Sequence, residues 1–482
     1  MELILLPLLF GIISFFIPSK FVRTTSILFA TTTAVATGIR IYSFQIHHVV
    51  QNYIFYLGKP FNQGLSFQMG YNGIGILMLA LCSLVILLVA LSNYQREEAK
   101  SPLFVGLMFL MQFGLNGVFA SEDGVLFYVF WEFTLIPVFL MLYWFGKQEN
   151  KPTLLKFFLY TLFGSLFMLL SIISLSIYSS DKFDYNSLMN TVVPAKYACW
   201  IFTGFLVAFA VKVPIFPLHT WQPNTYSSAP MAGTMLLSAI MLKMALFGMI
   251  KWMIALNYNA LSFWKWPVIV LGVVGILYGA FIAMRENNLR KVFAYASISH
   301  LGLIVAGIMI FSFESLQGSM IQIFNHSLVA IGLFLAAGII EDRTGTSDLN
   351  ELGGIAKLAP RFGFWFGVIM LISLSVPLTA GFIGEFLLIK SVFDFNMWLG
   401  ILSALTLVIG AVYMIRAYQM SSMGAPKMTS FMDLKWNETI VFSVIAILAL
   451  VIGLFPEIIL SFVKPSITTL LQSVQGAHTT IK

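Results

Sequence analysis

The chain has 482 residues, of which 59% are hydrophobic and 10% charged, with a mean hydropathy of +0.90. A soluble domain carries about 25% charged residues, so this chain has too few to cover a water-facing surface and reads as a multi-span membrane protein. The net charge of +7 is carried by basic residues that stand singly in short connections; without a dense basic face, nucleic acid is not an expected partner.

A hydrocarbon core of ~30 Å needs roughly 20 apolar residues per helix. Apolar runs of that kind, separated by polar breaks, give an all-α polytopic chain of about fourteen spans, at about 2–18, 24–44, 71–92, 103–120, 124–145, 153–179, 197–219, 229–250, 266–284, 291–312, 316–340, 362–392, 396–418 and 438–462. The first run begins at Met1 with no basic leader or small-residue cleavage site, and reads as a retained span rather than a signal peptide. Residues 45–70 are expected to form a small extended hairpin outside the membrane. The longest polar connection, from Glu341 to Arg361, is a loop of linker length, so residues 1–482 form a single transmembrane domain. Cys82 and Cys199 each lie inside an apolar run and suggest neither a disulfide framework nor a metal pair.

Basic residues gather in the connections after odd-numbered spans: Lys20, Arg23, Arg96, Lys100, Lys147, Lys151, Arg285, Arg290, Lys291, Arg343, Lys357, Arg361, Arg416, Lys427 and Lys435. Connections after even-numbered spans carry fewer, namely Lys59, Lys182, Lys196, Lys251 and Lys265. The positive-inside rule makes the odd connections cytoplasmic and puts both termini on the other side.

The fifth span, "GVLFYVFWEFTLIPVFLMLYWF", holds one charge, Glu132. A charge near the middle of a membrane helix costs a few kcal/mol even on lenient scales. Three further spans bury one as well: Lys212 in the seventh, Lys243 in the eighth and Glu385 in the twelfth. The tenth and eleventh carry lone histidines, His300 and His326. Arg40, Lys156 and Lys390 lie near enough to span ends to snorkel. Any single buried charge reads equally well as a structural ion pair fixing helix register, and a lone histidine as a hydrogen-bonded core residue. Four charges summing to zero on four helices point instead to an ion or proton path.

Two of these spans are broken. In "AVKVPIFPLHTW", Pro214 and Pro217 cannot donate to the carbonyls of Ala210 and Val213. In "LSVPLTAGFIGEF", Pro377, Gly381 and Gly384 loosen the helix just before Glu385. A packing kink would explain either break alone, but charge beside a discontinuous helix is the arrangement of transporter ion sites. The breaks fall five spans apart. Two inverted five-helix repeats are therefore expected, spans 4–8 (about 103–250) and spans 9–13 (about 266–418), although the break follows the charge in one copy and precedes it in the other.

The stretches "FYVFWEFTLIP", "FAVKVPIFPLHTWQP", "SSAPMAGTMLLSAIMLKMALFG", "NLRKVFAYASISHLG", "IFNHSLVAIGLFLAAG" and "PLTAGFIGEF" together resemble the antiporter-like membrane subunits of respiratory complex I, NADH:quinone oxidoreductase, from about Tyr71 to about Tyr418. The larger subunits of sodium/proton antiporters are relatives. Glu385 stands where most of the family carries Lys and is most like the M-type subunits; no long lateral helix follows the fourteenth span, unlike the L-type. The resemblance implies that Glu132 pairs with Lys212, that Lys243 links the two halves, that His300 and His326 lie on a central polar axis, and that Glu385 is the terminal proton-exchanging group. It also implies L-type and N-type antiporter-like subunits as neighbours in the lipid bilayer, and a bacterial inner membrane rather than a mitochondrial one. The chain departs from the family's pattern at Asn224, Thr225 and Tyr226, where the resemblance implies Asp-Ala-His, and at Asn288 and Asn72, where it implies Asp.

With no phosphate-binding glycine loop and no cysteine cluster for iron–sulfur centres, no cofactor and no metal is expected on this chain. NADH oxidation and quinone reduction would fall to partner subunits. The expected function is proton translocation, with Glu132–Lys212 separation gating transfer through Lys243, His300 or His326, with waters, to Glu385. Rival readings are a cation/proton antiporter subunit, a non-transporting membrane scaffold, and a bis-histidine haem protein using His219, His300 or His326.

Overall fold

The computed structural model describes residues 1–47, 51–56, 66–147 and 150–479. Among the described residues, twelve helices are long and apolar enough to cross a membrane, and two shorter apolar helices, Glu2–Ser14 and Pro360–Ser373, accompany them. The first span is thus a 13-residue helix. The twelfth is divided into Pro360–Ser373 and Ala380–Phe395. Expected and observed spans agree in number because bilayer thickness fixes how much apolar sequence each must contain.

Burial differs sharply among helices that are all apolar. The apolar stretches of the eighth span, Met231–Ile254, and of the eleventh, Phe313–Thr344, are fully buried, whereas most residues in that of the thirteenth, Met397–Ser422, show some surface. Composition does not separate them, since lipid and protein interior accept the same side chains. The eighth span also departs from regular α-helix, with wide π turns at Leu237–Met241 and Met249–Ile254 on either side of Lys243.

Ion pairs sort the connections into two faces. On one, Glu341 at the end of the eleventh span holds Lys147 at 2.6 Å and Arg290 at 2.7 Å, Asp342 pairs with Arg96, and Arg343 pairs with Glu438. Arg416 donates to the Glu286 carbonyl on the same face. All of these lie in connections after odd-numbered spans or at their helix ends. On the other face Lys251 meets Glu122 at 2.7 Å, Lys390 meets Glu314 at 2.6 Å, and Arg40 meets Glu2.

The hairpin expected at 45–70 is present as strands Gln51–Tyr56 and Ser66–Tyr71, antiparallel with Gln51 opposite Tyr71; Lys59 lies outside the described residues. The fourteenth span ends earlier than the apolar run suggests. It covers Trp436–Leu454, Phe455 leaves the helix, and a separate helix runs over Glu457–Thr479. Pro456 has no N–H to continue the ladder and pushes the residue before it out of helical conformation. The new helix seats Phe462 beside Phe44 (ring centroids 6.2 Å apart) and against Gly73.

Asn72 and Asn288 each cap a helix start. Asn72 accepts from the Gly75 N–H at 3.0 Å, and Asn288 accepts from the Lys291 N–H at 3.2 Å. A neutral carboxamide oxygen caps a helix start about as well as a carboxylate.

Candidate functional site: a line of buried polar groups

The seventh span supplies Lys212 as the last residue of helix Ala195–Lys212; the chain then unwinds to Trp221 before a short helix, Gln222–Ser228. Backbone freed by Pro214 and Pro217 finds new partners. Trp221 Nε1 donates to the Val211 carbonyl at 2.8 Å and Ile215 N–H to Ala210 at 2.9 Å. Lys212 is buried, its Nζ 5.9 Å from the Trp131 ring centroid and 5.8 Å from that of Phe157. Glu132, one residue along from Trp131, is half-buried, with Tyr128 and Ser165 beside its carboxylate and Oε1 without a hydrogen-bond partner. It forms no contact ion pair with Lys212 among the described residues, so the expected pair faces across a gap.

The centre of the protein is better connected. Lys243 has no exposed surface, and its Nζ donates to the Ser238 carbonyl at 2.6 Å and lies 2.7 Å from His326 Nδ1. Ser238 sits in the first π turn, five residues before Lys243. The other ring nitrogen, His326 Nε2, lies 2.9 Å from Ser297 Oγ on the tenth span. The His300 ring centroid is 6.3 Å from that of His326. His300 Nδ1 in turn approaches Glu385 Oε1 to 2.9 Å, close enough for an ion pair but off the line of a hydrogen bond.

Glu385 lies on the second half of the twelfth span and is 2% exposed, so its carboxylate depends on protein partners. Gln322 Nε2 donates to Oε1 at 3.1 Å. The break that brings it here has Ser375 and Leu378 at φ 53° and 80°. The eleventh span packs directly on the glycines after the break: a Cβ at Gly384 would meet Gln322 Oε1 at 2.7 Å, and one at Gly381 would meet Asn325 Nδ2 at 2.7 Å.

Five of the six singled-out residues are buried or nearly so, and four of them, Lys243, His326, His300 and Glu385, stand in one sequence of close groups. Lys212 and Glu132 belong to the first half and are not hydrogen-bonded to Lys243. Ser238, Ser297 and Gln322 escaped the sequence reading because an uncharged serine or glutamine in a membrane helix is unremarkable. The available signal was spacing, since Ser297 is three residues before His300 and Gln322 four before His326, each on the same helix face as its histidine. His219 stands apart, stacked on Phe216 at 5.6 Å and edge-on to Tyr278 at 4.8 Å.

The sequence matches the family described as "NADH:quinone oxidoreductase/Mrp antiporter, TM" over residues 121–411, more than half of the chain. The chain belongs to this antiporter-like membrane family. Among family relatives, NADH-quinone oxidoreductase subunit M of Rickettsia prowazekii is 31% identical over 470 residues, covering 95% of each chain. The subunit M of Rickettsia bellii is 32% identical over 85% of this chain and 83% of its own. Respiratory complex I from Thermus thermophilus with bound NADH contains a chain that superposes with a TM-score of 0.89 at 28% identity, covering 98% of this chain and 99% of that one. A chain of the Mrp complex from a Dietzia species shares the fold at a TM-score of 0.85 and 19% identity, covering 99% of both. The family match spans every one of the six residues singled out above.

Proposed function

We propose that this chain is the M-type, proton-translocating subunit in the membrane arm of an NADH:quinone oxidoreductase, and that Lys243, His326, His300 and Glu385 carry the proton between its two halves. The observation that carries this reading is the buried succession Lys243–His326 at 2.7 Å and His300–Glu385 at 2.9 Å, running from the eighth span to the twelfth. Burial keeps bulk water away from Lys243, so a proton leaving it passes to the nearest base, His326.

Glu132 supplies the control. Its negative charge favours the protonated form of Lys212 across the gap, and neutralising or withdrawing it releases that proton toward Lys243. The two five-helix units act as counterparts: the fifth and seventh spans contribute Glu132 and Lys212, and the tenth and twelfth contribute His300 and Glu385. Redox chemistry takes place on partner subunits, and this chain binds no cofactor of its own. L-type and N-type antiporter-like subunits flank it. The wealth of Lys and Arg on the odd-connection face supports a bacterial inner-membrane orientation with both termini periplasmic.

A cation/proton antiporter subunit would use a similar line of groups, but Glu385 in place of Lys and the near full-length relation to subunit M favour the first reading. NADH-driven acidification of inverted membrane vesicles tests it. Glu132→Gln is expected to abolish pumping and slow quinone reduction in a fully assembled complex. Normal pumping in that complex would return Glu132 to a structural role.

A further inference from the structure

The proton path just proposed is interrupted between His326 and His300, whose ring centroids are 6.3 Å apart. Two features fill this interval. Ser297 Oγ lies 2.9 Å from His326 Nε2. A small cavity of about 20 Å³ is lined by Ser297, His300, His326, Phe293 and Met414 among others. A cavity of that size holds one water molecule, provided that two or more polar groups border it, and here Ser297 and the two histidines do.

The hydrogen-bond directions are fixed by Lys243. An ammonium group has donors only, so when Lys243 is protonated His326 Nδ1 must accept from it. The proton of the neutral imidazole then sits on Nε2 and is donated to Ser297 Oγ. A hydroxyl that accepts from His326 has its own hydrogen free to point elsewhere, and the neighbouring space is the cavity that His300 shares.

We propose that Ser297 is a proton-relaying residue, passing a proton from His326 through one water in this cavity to His300. This inference rests on the function proposed above and adds its missing step. As the Lys243 proton bonds to His326 Nδ1, the Nε2–H bond breaks and that proton bonds to Ser297 Oγ. Ser297 gives its original hydroxyl proton to the water, and the water gives one of its own to His300 Nε2. Serine and water end as they began. Lys243 is left a neutral amine, His326 holds its proton on Nδ1, and His300 is a cation beside Glu385. His326 must regain an Nε2 proton before the next transfer, so the relay passes one proton per cycle of the histidine.

The test uses the whole complex in inverted vesicles, with assembly verified. Positioned proton donors and acceptors contribute factors of about 10² or more, so Ser297→Ala is expected to slow coupled proton uptake by at least about tenfold and to raise its solvent isotope effect above that of the unsubstituted complex. Ser297→Thr, which keeps the hydroxyl, is expected to restore both. A serine that merely ties the tenth span to the eleventh would alter thermal stability without touching the isotope effect. Unchanged uptake and isotope effect in Ser297→Ala would overturn the relay. His326→Gln separates the two levels: normal pumping in that variant sinks the whole axis, whereas loss there with normal pumping in Ser297→Ala sinks the serine step alone. Should Ser297→Ala fail to assemble, a high-resolution map of the unsubstituted complex decides. An ordered water within hydrogen-bond distance of Ser297 Oγ and His300 supports the relay, and a dry cavity overturns it.

Discussion

Lys243 shows what a charged residue requires at the centre of a membrane protein. Its ammonium has two close partners, a carbonyl at 2.6 Å and an imidazole nitrogen at 2.7 Å, and no exposed surface. Replacement by Met keeps the length and removes the charge, leaving the Ser238 carbonyl and His326 Nδ1 unpartnered at about 1–3 kcal/mol each. Lys243→Met is therefore expected to lower the melting temperature of the assembled complex and to eliminate proton uptake; NADH-driven acidification beside a thermal-shift assay checks both. Gly381 is constrained sterically. A Cβ there would stand 2.5 Å from Ser375 Oγ and 2.7 Å from Asn325 Nδ2, and overpacking of this kind costs about 1–3 kcal/mol. Gly381→Ala should destabilise the complex by that order in a denaturation series, and pump more slowly because Glu385 is carried on the same half-helix.

At the scale of elements, each broken helix depends on a few side-chain bonds to its freed backbone. The Trp221 indole occupies the Val211 carbonyl at the seventh-span break. Trp221→Phe keeps the ring but leaves this carbonyl without its donor, at a cost of about 1–3 kcal/mol. The expected result is reduced thermal stability with Lys212 less firmly held, read as a drop in melting temperature and a weaker pumping signal. Sequence indicated both breaks through Pro214, Pro217, Pro377 and the two glycines. It did not indicate the π turns around Lys243, because no residue type marks them; they arise where the eighth span, enclosed on all sides, adapts to its neighbours. Nor did it place the end of the fourteenth span, since the apolar run continues past Pro456.

For the molecule as a whole, three consecutive charges close one face. Glu341, Asp342 and Arg343 reach Lys147 and Arg290, Arg96, and Glu438 respectively, tying together connections far apart in the chain. Arg290 is 5% exposed and also donates to the Ala229 carbonyl at 2.6 Å. Removing one partner of a buried pair leaves the other charge uncompensated, at about 3–5 kcal/mol. Glu341→Gln should accordingly lower the melting temperature of the complex while sparing pumping at low temperature, where the proposed path from Lys243 to Glu385 is untouched. Stability that did not change would show that Arg290 finds compensation elsewhere.

The sequence by itself determined the membrane class, the number of spans and the division of the connections between two faces, and it drew attention to six ionisable residues. Bilayer thickness, charge cost and proline geometry act on local stretches, and so leave a local trace. Tertiary structure alone decided which of those residues stand in contact. It joined Lys243 to His326 across 83 positions and set His300 against Glu385. It also held Glu132 and Lys212 apart and brought Ser297 and Gln322 into the line. Those outcomes depend on how buried helices pack side by side, and in a chain apolar on every face the sequence pattern carries no record of which faces meet.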